Sequence, residues 1–287
     1  MPSSELRVAV VGHVEWVQFA RVPHLPRAGE VTHAREPFEE PAGGGAVAAV
    51  QLARLAGEAV LVTALGDDEH GRRSRQRLHE LGVEVRAELT AEPTRRAVTL
   101  VDERGERVIT TFGPRLEPRG VQDGGPWSAL EGIDAIYFTA GDEGALRAAR
   151  AVARVLVASP RAGDALGHGV ALDALVLSAD DAIERGEALR ARDEAALVVS
   201  TEGERGGSYR TRSGESGRWA AVAPPDELVD SYGCGDSFAA GLTYGLGAGL
   251  DLERALVLAA RCGAVCLTGR GPYERQLTRR ELATGET

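Results

Sequence analysis

The chain has 287 residues, 43% of them hydrophobic, a composition typical of a globular protein with one large core or two modest ones. Its net charge of −10 argues against the basic surface that a nucleic-acid phosphate backbone requires, so we expect no nucleic-acid partner. All 33 basic residues are arginine, because the sequence contains no lysine, and this excludes a Walker-type phosphate loop, whose lysine contacts the phosphates.

The first half of the chain predicts strands and helices in alternation, interrupted by a smaller group of exposed strands. Apolar runs bounded by glycine indicate buried strands, and a 3.6-residue apolar period indicates helices. In chain order, the pattern predicts a strand at 6–12, exposed strands within 14–36, a glycine loop that leads into a helix over 42–57, a strand at 59–65, a helix at 69–81, a strand at 83–85 and two exposed strands within 95–112. We interpret 14–36 and 95–112 as the two segments of a lid.

The second half of the chain continues the alternation that is typical of a parallel sheet. Strands are predicted at 135–138, 154–158, 171–177 and 195–200, helices at 143–153, 180–191, 234–246 and 252–268, and a small antiparallel unit at 207–222. No repeat or low-complexity linker marks a second domain. The sequence therefore predicts an α/β fold in one domain over residues 1–287.

The clearest chemical signal lies between residues 230 and 238, which read DSYGCGDSF and lead into a helix. Gly233 and Gly235 permit backbone conformations that bring peptide N–H groups close to a ligand. The first N–H groups of a helix have no intrahelical partner, and with the helix dipole they bind anions such as a phosphoryl group. Asp236 lies beside them, where a carboxylate can accept a proton from an attacking hydroxyl. Aspartate is also a common helix cap, so the residues alone leave both roles open.

This segment resembles the D-T-x-G-A-G-D signature of the PfkB sugar-kinase family, with Ser231 for threonine and Cys234 for alanine. Further stretches resemble the family in the family's order: PRAGE at 26–30, LARLAG at 52–57, GDDEHG at 66–71, VDERGER at 101–107 and STEGERG at 200–206. The resemblance implies a ribokinase-like three-layer αβα sandwich with a mainly parallel central sheet and a small β-strand lid. It also implies ATP-dependent phosphorylation of an alcohol group on a sugar or sugar-like metabolite, with Mg²⁺.

Transferred residue by residue, the resemblance assigns the catalytic centre to the same segment. It makes Asp236 the base, and it forms an anion hole from the backbone amides of Gly233, Cys234 and Gly235. Cys234 contributes its backbone, since no histidine partner for a nucleophilic thiol is evident in the sequence.

The resemblance places Thr201, Gly203 and Gly206 on the nucleotide. The family's N-x-x-E motif, which orders water around Mg²⁺, corresponds to SADD at 178–181, so Ser178 is expected near the phosphates and Asp181 near the metal, through water. A helix cap with an acidic first turn is the alternative for Ser178.

The acceptor side departs from the family. Val17 stands where ribokinase-like enzymes carry an aspartate that binds sugar hydroxyls, and Val47 stands where the substrate-contacting asparagine of the glycine loop is usual. Glu15 shares a strand face with Val17 and is the expected substitute, with a solvated lid glutamate as the alternative. Gly43 and Gly44 retain the loop itself. Because unpaired hydroxyls are costly to bury, this pattern disfavours ribose.

Arg115 follows the second lid segment, where family members approach the substrate. An arginine there suits an acceptor that carries a carboxylate or a phosphate. The alternative is an ordinary surface cation, since every basic residue in this chain is an arginine.

The remaining patterns concern compartment and assembly. The three cysteines form neither a C-x-x-C pair nor a zinc-like spacing with histidine, which predicts a reducing, cytoplasmic setting without disulfides. No uncharged run of 18 residues indicates a membrane span. By resemblance, a homodimer would form through the lid.

Three alternatives to a carbohydrate kinase remain. A non-catalytic sugar- or nucleotide-binding regulatory relative would explain the two valines on the acceptor side, and a nucleoside kinase of the same fold would share every motif. A dinucleotide-dependent oxidoreductase is disfavoured, because no G-x-G-x-x-G follows the first strand.

Overall fold

Two β-sheets organise the molecule, whose residues 6–120, 127 and 130–284 are described by a computed structural model. The strands are β1 (Val8–Val11), β2 (Glu15–Arg21), β3 (Arg35–Ala42), β4 (Ala59–Gly66), β5 (Val83–Thr90), β6 (Arg96–Val101), β7 (Arg107–Phe112), β8 (Ala135–Phe138), β9 (Val155–Ala158), β10 (Leu172–Ser178), β11 (Ala195–Thr201), β12 (Gly207–Thr211) and β13 (Ser216–Trp219). The helices are α1 (Gly44–Ala56), α2 (Glu69–Glu80), α3 (Glu143–Val152), α4 (Ala182–Ala191), α5 (Cys234–Gly247), α6 (Leu252–Cys266) and α7 (Arg279–Thr284).

The larger sheet has the strand order β13-β12-β11-β10-β9-β8-β1-β4-β5. Neighbouring strands from β11 to β5 are parallel, and β12 and β13 add an antiparallel edge. The interior strand β1 is the unbroken apolar run VAVV, buried throughout, as a parallel sheet covered on both faces requires.

Helices cover both faces of this sheet. Side chains alternate along β1, so that Val8 and Val10 join a core cluster with α1, α5 and α6, whereas Ala9 and Val11 join a second cluster with α3 and α4. The predicted three-layer αβα sandwich is confirmed.

The smaller sheet, which we call the lid sheet, has the order β3-β2-β6-β7 and confirms the predicted small β-strand lid. Its two outer pairs are antiparallel, and β2 runs parallel to β6. β3 continues to Ala42, beyond the predicted end of the first lid segment at residue 36. The prolines at 37 and 41 weaken the strand signal, but an edge strand tolerates them because one side of its backbone is free of ladder bonds.

The carboxyl ends of the parallel strands carry polar residues along one edge of the larger sheet. His13 follows β1, Thr139 follows β8 and Ser159 follows β9, whereas Ser178 and Thr201 end β10 and β11. Ligands of open α/β sheets bind along this edge. Within the described part of the chain, no helix is both long and apolar enough to cross a bilayer.

Candidate active site

The turn that starts α5 is held in place by a buried aspartate. Gly233 lies in the left-handed region, with φ 81°, and precedes the first residue of the helix. Asp230 accepts hydrogen bonds from the backbone N–H of Tyr232 at 2.9 Å and of Gly271 at 3.0 Å. Both oxygens of this carboxylate are therefore engaged in holding the turn. Burial raises the pKa of the neighbouring Cys234 thiol, which keeps it neutral and leaves its backbone as the available group.

Asp236 lies in the first turn of α5 and faces the start of α1. A Cβ placed on Gly44 would lie 2.9 Å from Asp236 Oδ1, so the carboxylate and the glycine loop are in close contact. Burial raises the pKa of Asp236, while the charges of Arg161 and Arg107 act in the opposite direction. In its ionised form, the Asp236 carboxylate can accept a proton from a hydroxyl that is bound between the starts of α1 and α5.

Glu15 is the second acidic group of this region and is buried, with 6% of its surface exposed. It pairs with Ala42 across the lid sheet, which brings it next to the glycine loop. Its carboxylate lies 3.6 Å from Arg95 Nε. Burial raises the pKa of Glu15, and Arg95 and Arg115 partly offset this effect. The structure therefore places Glu15 inside the molecule rather than on a solvated lid surface.

His13 lies under the glycine loop. Its Nε2 lies 2.9 Å from the position that a Cβ on Gly43 would occupy, and its Nδ1 is buried without a hydrogen-bond partner among the described residues. Burial, followed by the charges of Arg115, Arg95 and Arg161, lowers the pKa of His13 to about 3. His13 is therefore neutral at physiological pH.

The two acceptor-side valines lie in the hydrophobic core. Val17 and Val47 are both fully buried, and a Cβ on Gly233 would lie 2.8 Å from Val47 Cγ1. Val47 thus packs beneath the turn that precedes α5 instead of offering a polar contact. Arg115 is partly exposed; it pairs with Glu117, and its Nη1 donates to the carbonyl oxygen of Arg161 at 3.0 Å.

The residues predicted for the nucleotide lie together at the ends of β10 and β11. Ser178 is the register partner of Thr201, and the backbone N–H of Ala179 donates to the Thr201 carbonyl at 2.8 Å. Gly203 and Gly206 follow in a tight turn, with φ 57° and φ 80°. Backbone at such positive φ values favours glycine, which explains both positions by local geometry.

Asp181 and Glu184 meet Arg161 between the acceptor and nucleotide groups. Asp181 caps α4, with Oδ1 accepting from the backbone N–H of Ile183 at 2.9 Å. Glu184 is buried and accepts from Ser178 N at 2.7 Å and from Arg161 Nε at 2.6 Å. The sequence prediction named Asp181 but missed Glu184 and Arg161. The D-x-x-E spacing of Asp181 and Glu184 was the available signal for one of them.

The Asp181 and Glu184 carboxylates, near the predicted phosphate site, are suited to hold Mg²⁺ through water molecules. Among the described residues, no cluster of three or more His, Cys, Asp or Glu side chains suits direct metal binding. The Asp181 and Glu184 carboxylates already accept backbone hydrogen bonds, so they would orient water molecules rather than bind a metal ion directly. Mg²⁺ commonly keeps several of its waters, which agrees with such an arrangement.

The chain is similar to known carbohydrate kinases in sequence and to a known ribokinase in fold. The model of the pfkB family carbohydrate kinases matches residues 5–154 and 170–279. An ATP-dependent ribose-1-phosphate kinase from Halopiger xanaduensis is 31% identical, over 91% of each chain. An acarbose 7(IV)-phosphotransferase from Actinoplanes sp. is 30% identical, over 93% of each chain. A crystal structure of ribokinase from Thermotoga maritima superposes with a TM-score of 0.77 at 21% identity, covering 97% of this chain and 98% of that one, which shows the shared fold.

Proposed function

The chain belongs to the pfkB family of carbohydrate kinases, and on that basis we propose that it transfers the γ-phosphoryl group of ATP to an alcohol group of a sugar or sugar-like metabolite, with Asp236 as the base. The observation that carries this proposal is the contact between the Asp236 carboxylate and the start of α1, beside the open N-terminus of α5. A hydroxyl bound there would meet a proton acceptor and an anion-binding helix start together.

The proposed reaction is an in-line transfer. Asp236 accepts the proton as the acceptor oxygen attacks phosphorus, and the amides of Gly233, Cys234 and Gly235 stabilise the charge on the phosphoryl oxygens. The bond between the γ-phosphorus and the β,γ-bridging oxygen breaks, and ADP leaves along the β10 and β11 ends. This sequence of steps needs no covalent enzyme intermediate.

The nucleotide would extend from the start of α5 to the turn at residues 203–206. Ser178 and Thr201 border this path side by side, which supports their predicted place near the phosphates. Mg²⁺ bound through water to Asp181 and Glu184 would neutralise part of the phosphate charge. Without a metal ion, the negative charges of Asp181 and Glu184 would repel the phosphates of the nucleotide.

The acceptor would occupy the space between the glycine loop and the lid sheet. Glu15, Gly43 and Gly44 border it, and Val47 shapes it from below through the turn at Gly233. The relatives are named for acceptors that differ widely, a sugar phosphate and an acarbose, so the residues of this chain must decide the acceptor. Val17 and Val47 offer no polar atoms, which disfavours recognition through many hydroxyls.

The proposed base is tested by Asp236→Asn, which keeps the shape of the side chain but removes its basicity. We expect wild-type thermal stability and ATP binding, with phosphotransfer reduced by a factor of about 100 to 10,000. Acceptor-dependent ADP release over a panel of sugars, sugar phosphates and nucleosides measures this loss. Asp193→Asn, an exposed aspartate at the opposite edge of the sheet, is the matched control.

The alternatives give different results in the same assay. A nucleoside kinase would turn over nucleosides in preference to sugars. A regulatory relative would bind ligands with no acceptor-dependent ADP release by the wild-type protein, and that result would contradict the proposed base.

The assembly and compartment are proposals of the same kind. We propose that two copies pair through their lid sheets and that the enzyme works in the cytoplasm, where ATP is available and the three free cysteines remain reduced.

A further inference from the structure

Three guanidinium groups from separate segments lie near His13 and Glu15, and their charges act on both residues. Arg95 precedes β6, Arg115 follows β7 and Arg161 follows β9. Arg95 pairs with Glu15, whereas Arg115 pairs with Glu117 and donates a hydrogen bond to the backbone carbonyl of Arg161. Arg161 in turn pairs with Glu184 at 2.6 Å. In a protein of net charge −10, such a concentration of cations beside the proposed base needs an explanation.

The hydrogen-bonding capacity of these arginines is only partly used. Arg95 Nε is buried without a hydrogen-bond partner among the described residues, although its Nη2 donates to Thr111 at 2.7 Å. Its ionic partner Glu15 is buried, which favours the neutral carboxyl and weakens the pair. His13 Nδ1, on the same side of the cleft, is unpartnered as well. Buried donors without partners are rare, so a ligand oxygen is expected to meet them.

We propose that the acceptor already carries a phosphate monoester, which Arg95 and Arg115 bind while its free hydroxyl lies against Asp236. This inference rests on the proposed kinase function and adds the substrate class. Guanidinium groups suit phosphate oxygens because their N–H donors form a fixed planar fork. Both arginines lie beyond the open end of the β6–β7 hairpin, where Arg96 pairs with Phe112, so they can contact different oxygens of one tetrahedral group.

The charges of the site support the same conclusion. An anionic acceptor would meet the carboxylates of Glu15, Glu184 and Asp236, and each of the first two already has an arginine beside it. Val17 and Val47 lie in the core and supply no polar contact to hydroxyl groups, so more of the affinity must come from another part of the acceptor. A phosphate group supplies two charges that the arginines can match.

The first test compares each sugar with its own phosphate monoester. Ribose against ribose-1-phosphate, and fructose against its phosphate monoesters, should differ in kcat/KM by about 100-fold in favour of the ester, since two charge-assisted hydrogen bonds contribute about 3 kcal/mol. Neutral sugars used as well as their esters would overturn the inference, and so would a preference for gluconate, a carboxylate acceptor. In both cases ADP release would still support the kinase function.

The second test uses the arginines themselves. For Arg95→Gln and Arg115→Gln, the ratio of kcat/KM between ester and parent sugar should fall about tenfold each. Arg95→Lys and Arg115→Lys, which keep the charge but not the fork, should lose less. Arg192→Gln, at the opposite edge of the sheet, is the matched control and should leave the ratio unchanged. An unchanged ratio in both glutamine variants would contradict the proposal.

A binding measurement separates this inference from the catalytic one. Titration calorimetry of the Asp236→Asn variant with ribose-1-phosphate and with ribose needs no turnover. We expect binding of the ester and its loss when Arg95→Gln and Arg115→Gln are added. Equal binding of ribose and its ester would overturn the inference, even if the base were assigned correctly.

Discussion

The carboxylate of Asp236 is subject to opposing influences on its pKa. Burial raises it, whereas the positive charges of Arg161 and Arg107 lower it. A base must be ionised before it accepts a proton, so the acid limb of the rate profile reports this balance. We therefore expect the charge of Arg161 to tune the pKa of the proposed base.

Replacing Arg161 by glutamine removes the larger of the two favourable charges. Loss of a cation favours the protonated carboxyl, so we expect the acid limb of kcat/KM to move to higher pH. The measurement is the pH profile of kcat/KM for the wild type and for Arg161→Gln. A profile that only falls in height, without a shift along the pH axis, would contradict this tuning role.

His13 links the acceptor site to acid stability. Its pKa is lowered from 6.5 to about 3 in the folded protein, so the unfolded chain binds one more proton between these values. Stability that is present above pH 6.5 is lost as the pH falls, by about 1.4 kcal/mol per pH unit. In urea unfolding at pH 7 and pH 5, His13→Gln should flatten this loss. His33→Gln, an exposed histidine, should not; equal slopes in both variants would refute the assignment.

Sequence reasoning found some of these residues and missed others for physical reasons. Glu15 was proposed from the sequence because strand alternation puts it on the same face as Val17. Glu184, Arg161 and Arg95 were missed because their importance comes from contacts with residues distant in the chain, as in the Arg161–Glu184 hydrogen bond across 23 positions and the Arg95–Glu15 pair. In a lysine-free sequence no pattern distinguishes such an arginine from a surface cation.

At the scale of elements, Gly44 and Gly45 at the start of α1 allow the catalytic role of the glycine loop to be tested apart from its role in packing. A Cβ on Gly44 would meet Asp236 Oδ1 at 2.9 Å, whereas a Cβ on Gly45 would meet the His13 carbonyl oxygen at 2.6 Å and the backbone of Gly12 at 2.7 Å. A side chain can move aside, but these backbone atoms cannot.

The two alanine variants should therefore fail differently. For Gly44→Ala we expect kcat to fall about 100-fold with a near-normal melting temperature, because the base is displaced. For Gly45→Ala we expect a loss of about 2 kcal/mol in the free energy of unfolding, because backbone is forced apart. Steady-state kinetics and denaturant unfolding of both variants check this, and a similar stability loss in both would contradict it.

Strands and helices could be predicted where burial of one face gives the apolar residues a regular spacing along the sequence. The apolar strands of the large sheet and β6 have the predicted positions because one or both faces of each strand are buried, whereas β7 is exposed and was predicted from the turn residues that join it to β6. β5 was predicted only to residue 85 but continues to Thr90. It is an edge strand whose charged residues at 84, 86 and 88 dilute the apolar signal, as the prolines do in β3. Tertiary pairing, not local sequence, extends both strands.

On the scale of the whole molecule, β7 leaves apolar side chains uncovered at the edge of the lid sheet. Val108, Ile109 and Phe112 are exposed by 47%, 41% and 48%. An exposed apolar edge strand favours pairing with another chain, which supports the proposed pairing of two copies through their lid sheets. Light scattering after size-exclusion chromatography should give twice the 30.2 kDa of one chain, and Ile109→Glu should give monomer. Val257→Glu on α6 is the matched control; a monomeric wild type would refute the dimer.

The lid sheet is joined to the large sheet by very short connections. Residues 12–14 separate β1 from β2, and Gly43 alone separates β3 from α1. A tilt of the lid sheet must therefore displace His13, Glu15 and the glycine loop with it, since so little chain is available to absorb the movement. If the proposed kinase closes by such a tilt, binding of the acceptor and closure of the lid sheet would be coupled, and little ATP should be hydrolysed when no acceptor is bound.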